Sequence, residues 1–394
     1  MSKVYLITRT PFPFGNAATN RVKCYAKALV SQGVDCEVII YQRNDINNSA
    51  SSGVFEMIRY RYVSGVQHRH SSRFIARLND LKDRFRLCAF LLINVKAGDR
   101  IFFYEMKPFV SLLASIVHFK GGKSVGELCE YPYVLPKHCK WIKYAWTQFV
   151  LRVQFKMYDG IIAISDTLLK LAEEKASCLC NIIKIPILVD LERFNLNNSS
   201  ESCTGNDLFI FHSGTLTEQK DGILGMITAF GETVKSISVP IKFYITGSMD
   251  SSPHKEEIKR LIDKYCLNGK LFFTGYLTEE ELVSYLKRAS FVIINKYPTF
   301  QNNYCFSTKL GEYMAMEKVV IITKVGEVVN WLHNMVDCYF VEPNAPNEIS
   351  KAIIELTNNT KLYNYISRNA RLTCENSFSY QLYGEKLKEF FNRM

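Results

Sequence analysis

The chain has 394 residues, more than a single hydrophobic core usually serves, so two domains are expected. A hydrophobic share of 47% against 22% charged residues excludes an intrinsically disordered chain. The net charge of +11 is uneven: residues 1–200 hold 28 Lys and Arg against 16 Asp and Glu, and the remainder holds 21 against 22. The basic half indicates an anionic partner, such as a lipid surface, a phosphate-bearing ligand or nucleic acid.

The N-terminus predicts a strand over Val4–Thr8, not a secretory signal. No apolar run approaches the roughly 20 residues that a membrane-spanning helix needs. The twelve cysteines are scattered without a CxxC motif or Cys/His cluster, which favours reduced thiols over disulfides or zinc. These features predict a cytoplasmic protein.

Short apolar, β-branched runs alternate with helical patterns along the chain, which predicts parallel sheets buried on both faces. The predicted strands are Val4–Thr8, Cys36–Tyr41, Ile101–Tyr104, Ile161–Ile164, Leu208–His212, Ile241–Thr246, Leu271–Thr274, Phe291–Ile294, Val319–Thr323 and Cys338–Val341. A polar, turn-rich stretch at 195–206 indicates a linker. We therefore expect two doubly wound α/β domains that face each other across a cleft, with a ligand at the carboxyl ends of the strands.

The first predicted strand runs into a small-residue turn at Gly15, before a helix that extends to about Gln32. Such a turn brings the backbone close to a phosphate or an acceptor. It holds a single glycine instead of GxGxxG, and no acidic residue clearly marks a ribose site. A nicotinamide-binding domain is therefore disfavoured.

Residues 59–86 are dense in cations with apolar residues among them. A basic helix of this kind can lie on an anionic membrane, and a solvated surface is an equally good interpretation. Nucleic-acid binding is the weaker alternative, because no known nucleic-acid module accompanies the charge. The cations are Arg59, Arg61, His68, Arg69, His70, Arg73, Arg77, Lys82, Arg84 and Arg86.

Two carboxylates, Glu127 and Glu130, follow a predicted strand that begins near Lys123. Catalytic groups tend to collect at such strand ends, where one carboxylate could orient or deprotonate an acceptor hydroxyl. A capping or salt-bridging role is nearly as good an interpretation of either residue.

In the second half, the strand Leu208–His212 runs into Gly214, and Lys220 follows six positions later. The glycine permits close backbone approach, and the lysine could supply a point charge for a diphosphate. Gly247 and Gly275 also follow predicted strands. Three strand-end glycines indicate one shared crevice.

A short amphipathic helix is predicted to open at Ser307 or Thr308 and to carry Lys309 and Glu312. The start of a helix favours anions because its N–H groups and dipole point there. A cation in the first turn is unusual, and an anionic ligand would explain Lys309. A Lys309–Glu312 surface pair is the simpler alternative.

The order and spacing of these motifs resemble those of retaining glycosyltransferases of the GT-B fold, in particular glycosyltransferase family 4. The resemblance covers nearly the whole chain and is strongest from about residue 160. It rests on 162–166, on 185–194, on Gly214 to Lys220, on 273–277 and on 309–315. It implies an N-terminal acceptor domain at 1–195, a nucleotide-sugar domain at 205–376, and a C-terminal helix at 377–394 that returns to the first domain.

The resemblance implies transfer of a sugar from a nucleotide-diphosphate donor to a saccharide or lipid-linked acceptor, in surface-polysaccharide biosynthesis, with no metal. It places Lys220, Gly214, Thr215 and Gly247 near the donor diphosphate with Ser307, Thr308 and Lys309. Glu312 would bind the ribose, Tyr276 and Leu277 would flank the base, and the acceptor would enter near Gly15 and Glu130.

Two positions depart from the family pattern. Tyr304 replaces the first of two glutamates eight positions apart, and Thr215 replaces an arginine after the strand-end glycine. Both departures leave open a non-catalytic nucleotide-sugar-binding subunit. A sugar-nucleotide epimerase or hydrolase of the same fold is the other alternative.

Overall fold

The computed structural model of the chain describes residues 2–44, 50–132, 141–194 and 208–394. They form two compact units, the first made of Met1–Asp190 and Ser379–Met394 and the second of Leu191–Phe378. The linker predicted at 195–206 lies outside the described residues. Each unit is an α/β fold around a largely parallel sheet, which confirms the predicted fold class for both domains.

The sheet of the first unit has the order β3-β4-β2-β1-β5-β6-β7-β8, and all neighbours are parallel except β3 and β4. Its strands are β1 (Val4–Thr8), β2 (Cys36–Ile40), β3 (Ser52–Phe55), β4 (Ile58–Tyr62), β5 (Arg100–Phe103), β6 (Lys123–Leu128), β7 (Gly160–Ala163) and β8 (Asn181–Lys184). Its first five helices are α1 (Ala17–Ser31), α2 (Arg73–Asn94), α3 (Pro108–Phe119), α4 (Trp141–Phe155) and α5 (Asp166–Lys175). The strand order reverses between β1 and β5.

The sheet of the second unit has the order β11-β10-β9-β12-β13-β14, with every pair parallel. Its strands are β9 (Leu208–His212), β10 (Ile241–Ile245), β11 (Leu271–Phe273), β12 (Phe291–Ile294), β13 (Val319–Thr323) and β14 (Tyr339–Val341). Its helices are α6 (Glu218–Asp221), α7 (Ile223–Ser236), α8 (Lys255–Tyr265), α9 (Glu279–Arg288), α10 (Phe300–Asn303), α11 (Thr308–Ala315), α12 (Pro346–Asn358) and α13 (Thr360–Ser377). Here the order reverses between β9 and β12.

The chain ends in α14 (Gly384–Asn392), which belongs to the first unit. Its buried residues Leu387, Phe390 and Phe391 join the core that α1 and the sheet form. The Arg100 Nε atom donates a hydrogen bond to the Phe391 carbonyl at 2.8 Å. The helix α14 is therefore part of the core of the first unit.

The predicted basic segment is helical only from Arg73, because Arg59 and Arg61 lie on β4. That strand alternates buried and more exposed residues, so its charges point away from the core. The cysteines at the described positions are free thiols. Among the helices of the described ranges, none has the length and hydropathy needed to cross a bilayer.

Candidate functional site

Five residues meet just beyond the end of β9, where the strand order of the second sheet reverses. Asp221 lies at their centre: its Oδ2 atom accepts hydrogen bonds from the Thr215 N–H at 2.7 Å and the Thr215 hydroxyl at 2.8 Å. Its Oδ1 atom pairs with the Lys309 ammonium and lies 3.6 Å from His212 Nε2. We call His212, Gly214, Thr215, Asp221 and Lys309 the strand-end cluster. Open α/β sheets bind ligands at this kind of position.

Gly214 allows the turn to close on the cluster. A β-carbon there would come within 2.4 Å of His212 Nε2 and 2.8 Å of Lys309 Nζ, so a side chain does not fit. The Gly214 N–H donates to the Thr246 hydroxyl at 2.8 Å, and that hydroxyl donates to the Gly214 carbonyl at 3.1 Å. The backbone of the turn is therefore held close to the side chains of His212 and Lys309.

Burial and charge set the protonation states in the cluster. Burial alone would raise the pKa of Asp221, but the Lys309 charge and the contact with His212 outweigh it and hold the pKa far below its ordinary value. Burial lowers the pKa of Lys309 against the attraction of Asp221. Burial and the Lys309 charge also lower the pKa of His212, so its ring is neutral at pH 7.

The neutral His212 ring is fixed from one side only. Its Nδ1 atom lies 2.8 Å from the Ile293 carbonyl of β12, to which it donates. Its buried Nε2 atom has no hydrogen-bond partner among the described residues. A buried polar atom without a partner is costly unless something satisfies it. The cluster therefore offers an acceptor atom and an ammonium group side by side.

The helix α11 begins with Ser307 as its N-cap and presents Lys309 in its first turn, as predicted. The helix is tied to the turn after β9 because the Tyr313 hydroxyl accepts from the Ser213 N–H at 2.8 Å and contacts the Ser213 hydroxyl at 2.9 Å. Thr308 is half-buried at the first helical position. The positive end of the helix dipole and the Lys309 charge thus act at one place, which suits an anion.

Lys220 lies on α6, the four-residue helix that also carries Asp221. Its side chain is exposed, and it forms no ion pair with any described residue. The next residue, Asp221, is the one whose side chain enters the cluster. His212 and Asp221 were not among the residues identified from the sequence.

The predicted base-side residues lie together at the ends of β10 and β11. Gly247, with φ of 96°, exchanges two backbone hydrogen bonds with Gly275, at 2.7 and 3.1 Å. Tyr276 follows with 75% of its surface exposed, and Leu277 is half-buried. An exposed aromatic side chain beside a rigid glycine pair is able to stack on a planar ring.

Glu312 lies one turn beyond Lys309 on α11. The Arg193 Nη1 atom is 3.5 Å from its Oε1 atom, and Arg193 Nε also pairs with Glu279 at 2.5 Å. The position of Glu312 is thus set by Arg193 and not by a pair with Lys309. The ring of Tyr304 packs against Phe300 at 5.1 Å between centroids.

In the first unit, Glu127 at the end of β6 is completely buried. Its Oε1 atom accepts from Arg21 Nε at 2.8 Å and from the Tyr25 hydroxyl at 3.1 Å. Burial raises the pKa of Glu127 against the attraction of Arg21. This geometry favours the salt-bridging alternative for Glu127. Glu130, by contrast, is exposed.

Gly15 directly precedes α1 and its N-cap Asn16. A β-carbon at Gly15 would come within 2.2 Å of the Thr19 hydroxyl oxygen, so the turn packs tightly on the first turn of α1. Throughout the described residues, no group of three or more His, Cys, Asp or Glu side chains could hold a metal ion.

Comparison with known sequences supports the assignment of the second unit. Residues 197–373, a little under half of the chain, match the family model described as "Glycosyl transferases group 1". The match contains the whole strand-end cluster and α11. This part of the chain is therefore similar to group 1 glycosyltransferase domains.

Two known sequences each align with 64% of this chain. The glycosyltransferase MJ1069 of Methanocaldococcus jannaschii is 22% identical over 262 residues, and the capsular polysaccharide biosynthesis glycosyltransferase CapM of Staphylococcus aureus is 24% identical over 274. The chain spans 63% and 66% of the lengths of these two relatives.

The fold is also found in solved structures. HepE from Anabaena, determined in complex with UDP, superposes with a TM-score of 0.70 at 14% identity, covering 100% of both chains. The same protein has also been solved with UDP-glucose. At this identity the likeness shows the GT-B fold alone, and it confirms the predicted fold class.

Proposed function

We propose that the protein is a glycosyltransferase that moves a sugar from a nucleoside diphosphate sugar to an acceptor hydroxyl with retention of the anomeric configuration. The strand-end cluster carries this proposal, because it places an ammonium group, a helix N-terminus and a glycine turn at one point of a group 1 glycosyltransferase domain. The retaining stereochemistry rests on the resemblance to family 4.

Breaking the bond between sugar and diphosphate leaves positive charge on the sugar and negative charge on the departing group. Lys309 and the start of α11 would stabilise that negative charge, with exposed Lys220 able to reach the outer phosphate. Asp221 orients the Lys309 ammonium. His212 Nε2, which finds no hydrogen-bond partner in the described parts of the chain, would accept a hydrogen bond from a hydroxyl of the donor sugar.

The remaining residues define the donor and acceptor sides. Glu312 would bind the ribose, and Tyr276 with Leu277 would flank the base. Glu130 and the Gly15 turn would face the acceptor. Glu127 is buried, so it takes no direct part in the proposed reaction. Because HepE binds UDP and CapM is named for capsular polysaccharide biosynthesis, we propose a UDP-sugar donor and a surface-polysaccharide product.

A ligand-binding screen tests the donor side. Thermal unfolding with UDP-, GDP- and ADP-sugars should show the largest stabilisation with a UDP-sugar, because a ligand that binds only the folded form raises Tm. The Lys309→Ala variant should lose most of that shift. Absence of stabilisation by every nucleotide sugar would contradict the proposal.

Product analysis separates the alternatives. Turnover of the UDP-sugar without an acceptor would show an epimerase or hydrolase. Binding without transfer to any lipid-linked acceptor would show the non-catalytic subunit that Tyr304 and Thr215 left open. If the protein is a retaining glycosyltransferase, UDP should be released only when an acceptor is present. The new linkage should then have the same anomeric configuration, α or β, as the donor sugar.

The helix α2 supports a second part of the proposal, attachment to an anionic membrane. Phe74, Leu78, Leu81 and Phe85 are exposed and, at helical spacing, form one stripe on the side opposite the buried face. Cations lie on both flanks of the stripe: Arg73, Arg77 and Arg84 on one side, Lys82 and Arg86 on the other. An apolar stripe between cations fits a bilayer with anionic headgroups.

Co-sedimentation with vesicles of phosphatidylglycerol and phosphatidylcholine tests this attachment. Phe74→Ser/Phe85→Ser and Arg73→Gln/Arg77→Gln should each weaken binding, and the loss in the second variant should resemble the effect of added salt. Leu179→Ser/Tyr365→Ser removes exposed apolar surface elsewhere and serves as the control. Equal sedimentation of all three variants would refute the attachment.

A further inference from the structure

A cavity of about 270 Å³ lies in the first unit. It opens at the carboxyl ends of β1, β2 and β5, where the strand order of the first sheet reverses. Its lining includes Arg9, Tyr41, Asp80, Arg84, Lys107 and Phe109. Sites for small molecules start at roughly 300 Å³, so this cavity suits a ligand of about headgroup size.

Positive charge is in excess around this cavity. Arg9 Nε and Lys107 Nζ share the carboxylate of Glu105, at 2.9 and 2.5 Å. Asp80 pairs with Arg69 at 2.9 Å.

Arg84 makes no ion pair within the described residues, and its guanidinium lies 5.2 Å from the centre of the Phe109 ring. Three cations, Arg9, Arg84 and Lys107, and one carboxylate, Asp80, line the cavity, which leaves two positive charges on its lining.

The backbone around the cavity has the same preference for an anion. The twelve-residue helix α3 begins at Pro108, and its N-cap Lys107 makes no side-chain capping bond. Both residues line the cavity. Burial and the nearby Glu105 raise the pKa of Tyr41 to about 12, so its hydroxyl stays protonated. An anion in the cavity would meet a helix N-terminus, a phenol and two guanidinium groups.

We infer that this cavity binds a phosphate or diphosphate ester carried by the acceptor. The two unbalanced positive charges match a dianion, and Arg84 lies on α2 beside Phe85 of the exposed stripe. An ester with a lipid tail could therefore place its phosphate in the cavity while its tail follows α2 into the bilayer. This inference rests on the proposed function, since it names the acceptor class for that reaction.

Calorimetric titration of the full-length chain at low salt tests the inference with geranyl diphosphate, inorganic pyrophosphate and glucuronate as probes. We expect geranyl diphosphate to bind, and Arg84→Gln and Lys107→Gln each to weaken it by about 10- to 100-fold, as for loss of a hydrogen bond to a charged group. Lys120→Gln, at the far end of α3, removes the same charge and should have no effect. Arg73→Gln/Arg77→Gln, which alters a second basic cavity at the start of α2, should also have none.

The probes distinguish the sources of the anion. Stronger binding of geranyl diphosphate than of inorganic pyrophosphate supports a lipid ester, and equal binding supports a phosphate group without a lipid. Preference for glucuronate, or unchanged binding in Arg84→Gln and Lys107→Gln, would overturn the inference. UDP binding, measured in the same variants, should not change, and its absence in the wild-type chain would count against the proposed function alone.

Discussion

Two ion pairs of the same kind lie at strand ends in the two units, and their surroundings give them different roles. The side chains of Arg21 and Glu127 are 1% and 0% exposed, whereas those of Lys309 and Asp221 are 22% and 6% exposed. Arg21 also donates hydrogen bonds to the carbonyls of Ile185 and Pro186. Lys309 pairs with Asp221, and part of its side chain is exposed. Accessibility of the cation therefore distinguishes a ligand site from a structural pair.

The largest effect is expected at the buried pair. Glu127→Ala would leave the Arg21 guanidinium buried without a counter-charge, which typically costs about 3–5 kcal/mol. Urea unfolding should show this loss in the free energy of unfolding of the first unit. UDP binding by the second unit should persist at low urea.

The matched control for this experiment replaces both partners. Arg21→Met/Glu127→Leu removes both charges and should cost much less than Glu127→Ala, because no charge is left uncompensated. If Glu127→Ala kept full stability and lost turnover, the Arg21–Glu127 pair would not be a purely structural pair. Glu127 would then be a candidate catalytic carboxylate again.

The next effect is expected at the accessible pair. Lys309→Ala should lower kcat by a factor on the order of 10²–10³, as when one preorganised charge-stabilising group is lost. Lys220→Ala tests the lysine that the family resemblance favours, and its exposed position predicts the smaller loss. Lys324→Ala, which removes an exposed partner of Glu342 in the same unit, is the control. Steady-state kinetics with a UDP-sugar would measure all three.

The opposite order of the two losses in turnover would contradict this prediction. If Lys220→Ala lost more turnover than Lys309→Ala, the diphosphate would lie over α6 and not beside the strand-end cluster. The Lys309–Asp221 pair would then be structural, like Arg21–Glu127.

Much of the fold follows from local patterns in the sequence. Apolar runs such as Val4–Thr8 and Val319–Thr323 are strands with the predicted limits, because their residues are buried on both faces. The strand β4 was missed because Arg59 and Arg61 alternate with its buried residues. A two-residue period in so short and charged a segment is a weak signal.

The site was harder to predict because its contacts join distant residues. Lys309 and Glu312 on α11 were identified since an unusual cation in a first helical turn is visible in the sequence. Asp221 meets Lys309 across 88 positions, and Arg21 meets Glu127 across 106. No local pattern separates Asp221, whose side chain is buried, from its exposed neighbour Lys220.

The smallest effect concerns protonation of His212. Its pKa is lowered in the folded state. Below the ordinary histidine pKa of about 6.5, the unfolded chain therefore binds more protons than the folded chain, and the stability decreases as the pH decreases. His212→Asn keeps a side-chain N–H for the Ile293 carbonyl and removes the titrating group. Between pH 7 and pH 5 the wild-type chain should therefore lose more stability than this variant.

Urea unfolding of the second unit at pH 7, 6 and 5 measures that difference. His212 lies in the second unit. The stability of the first unit should therefore change with pH to the same extent in the wild-type chain and in the variant. Parallel pH profiles for the second unit would show that His212 is free to take up a proton beside Lys309. Burial and the Lys309 charge would then not keep His212 neutral, and an anion site beside Lys309 would be less well supported.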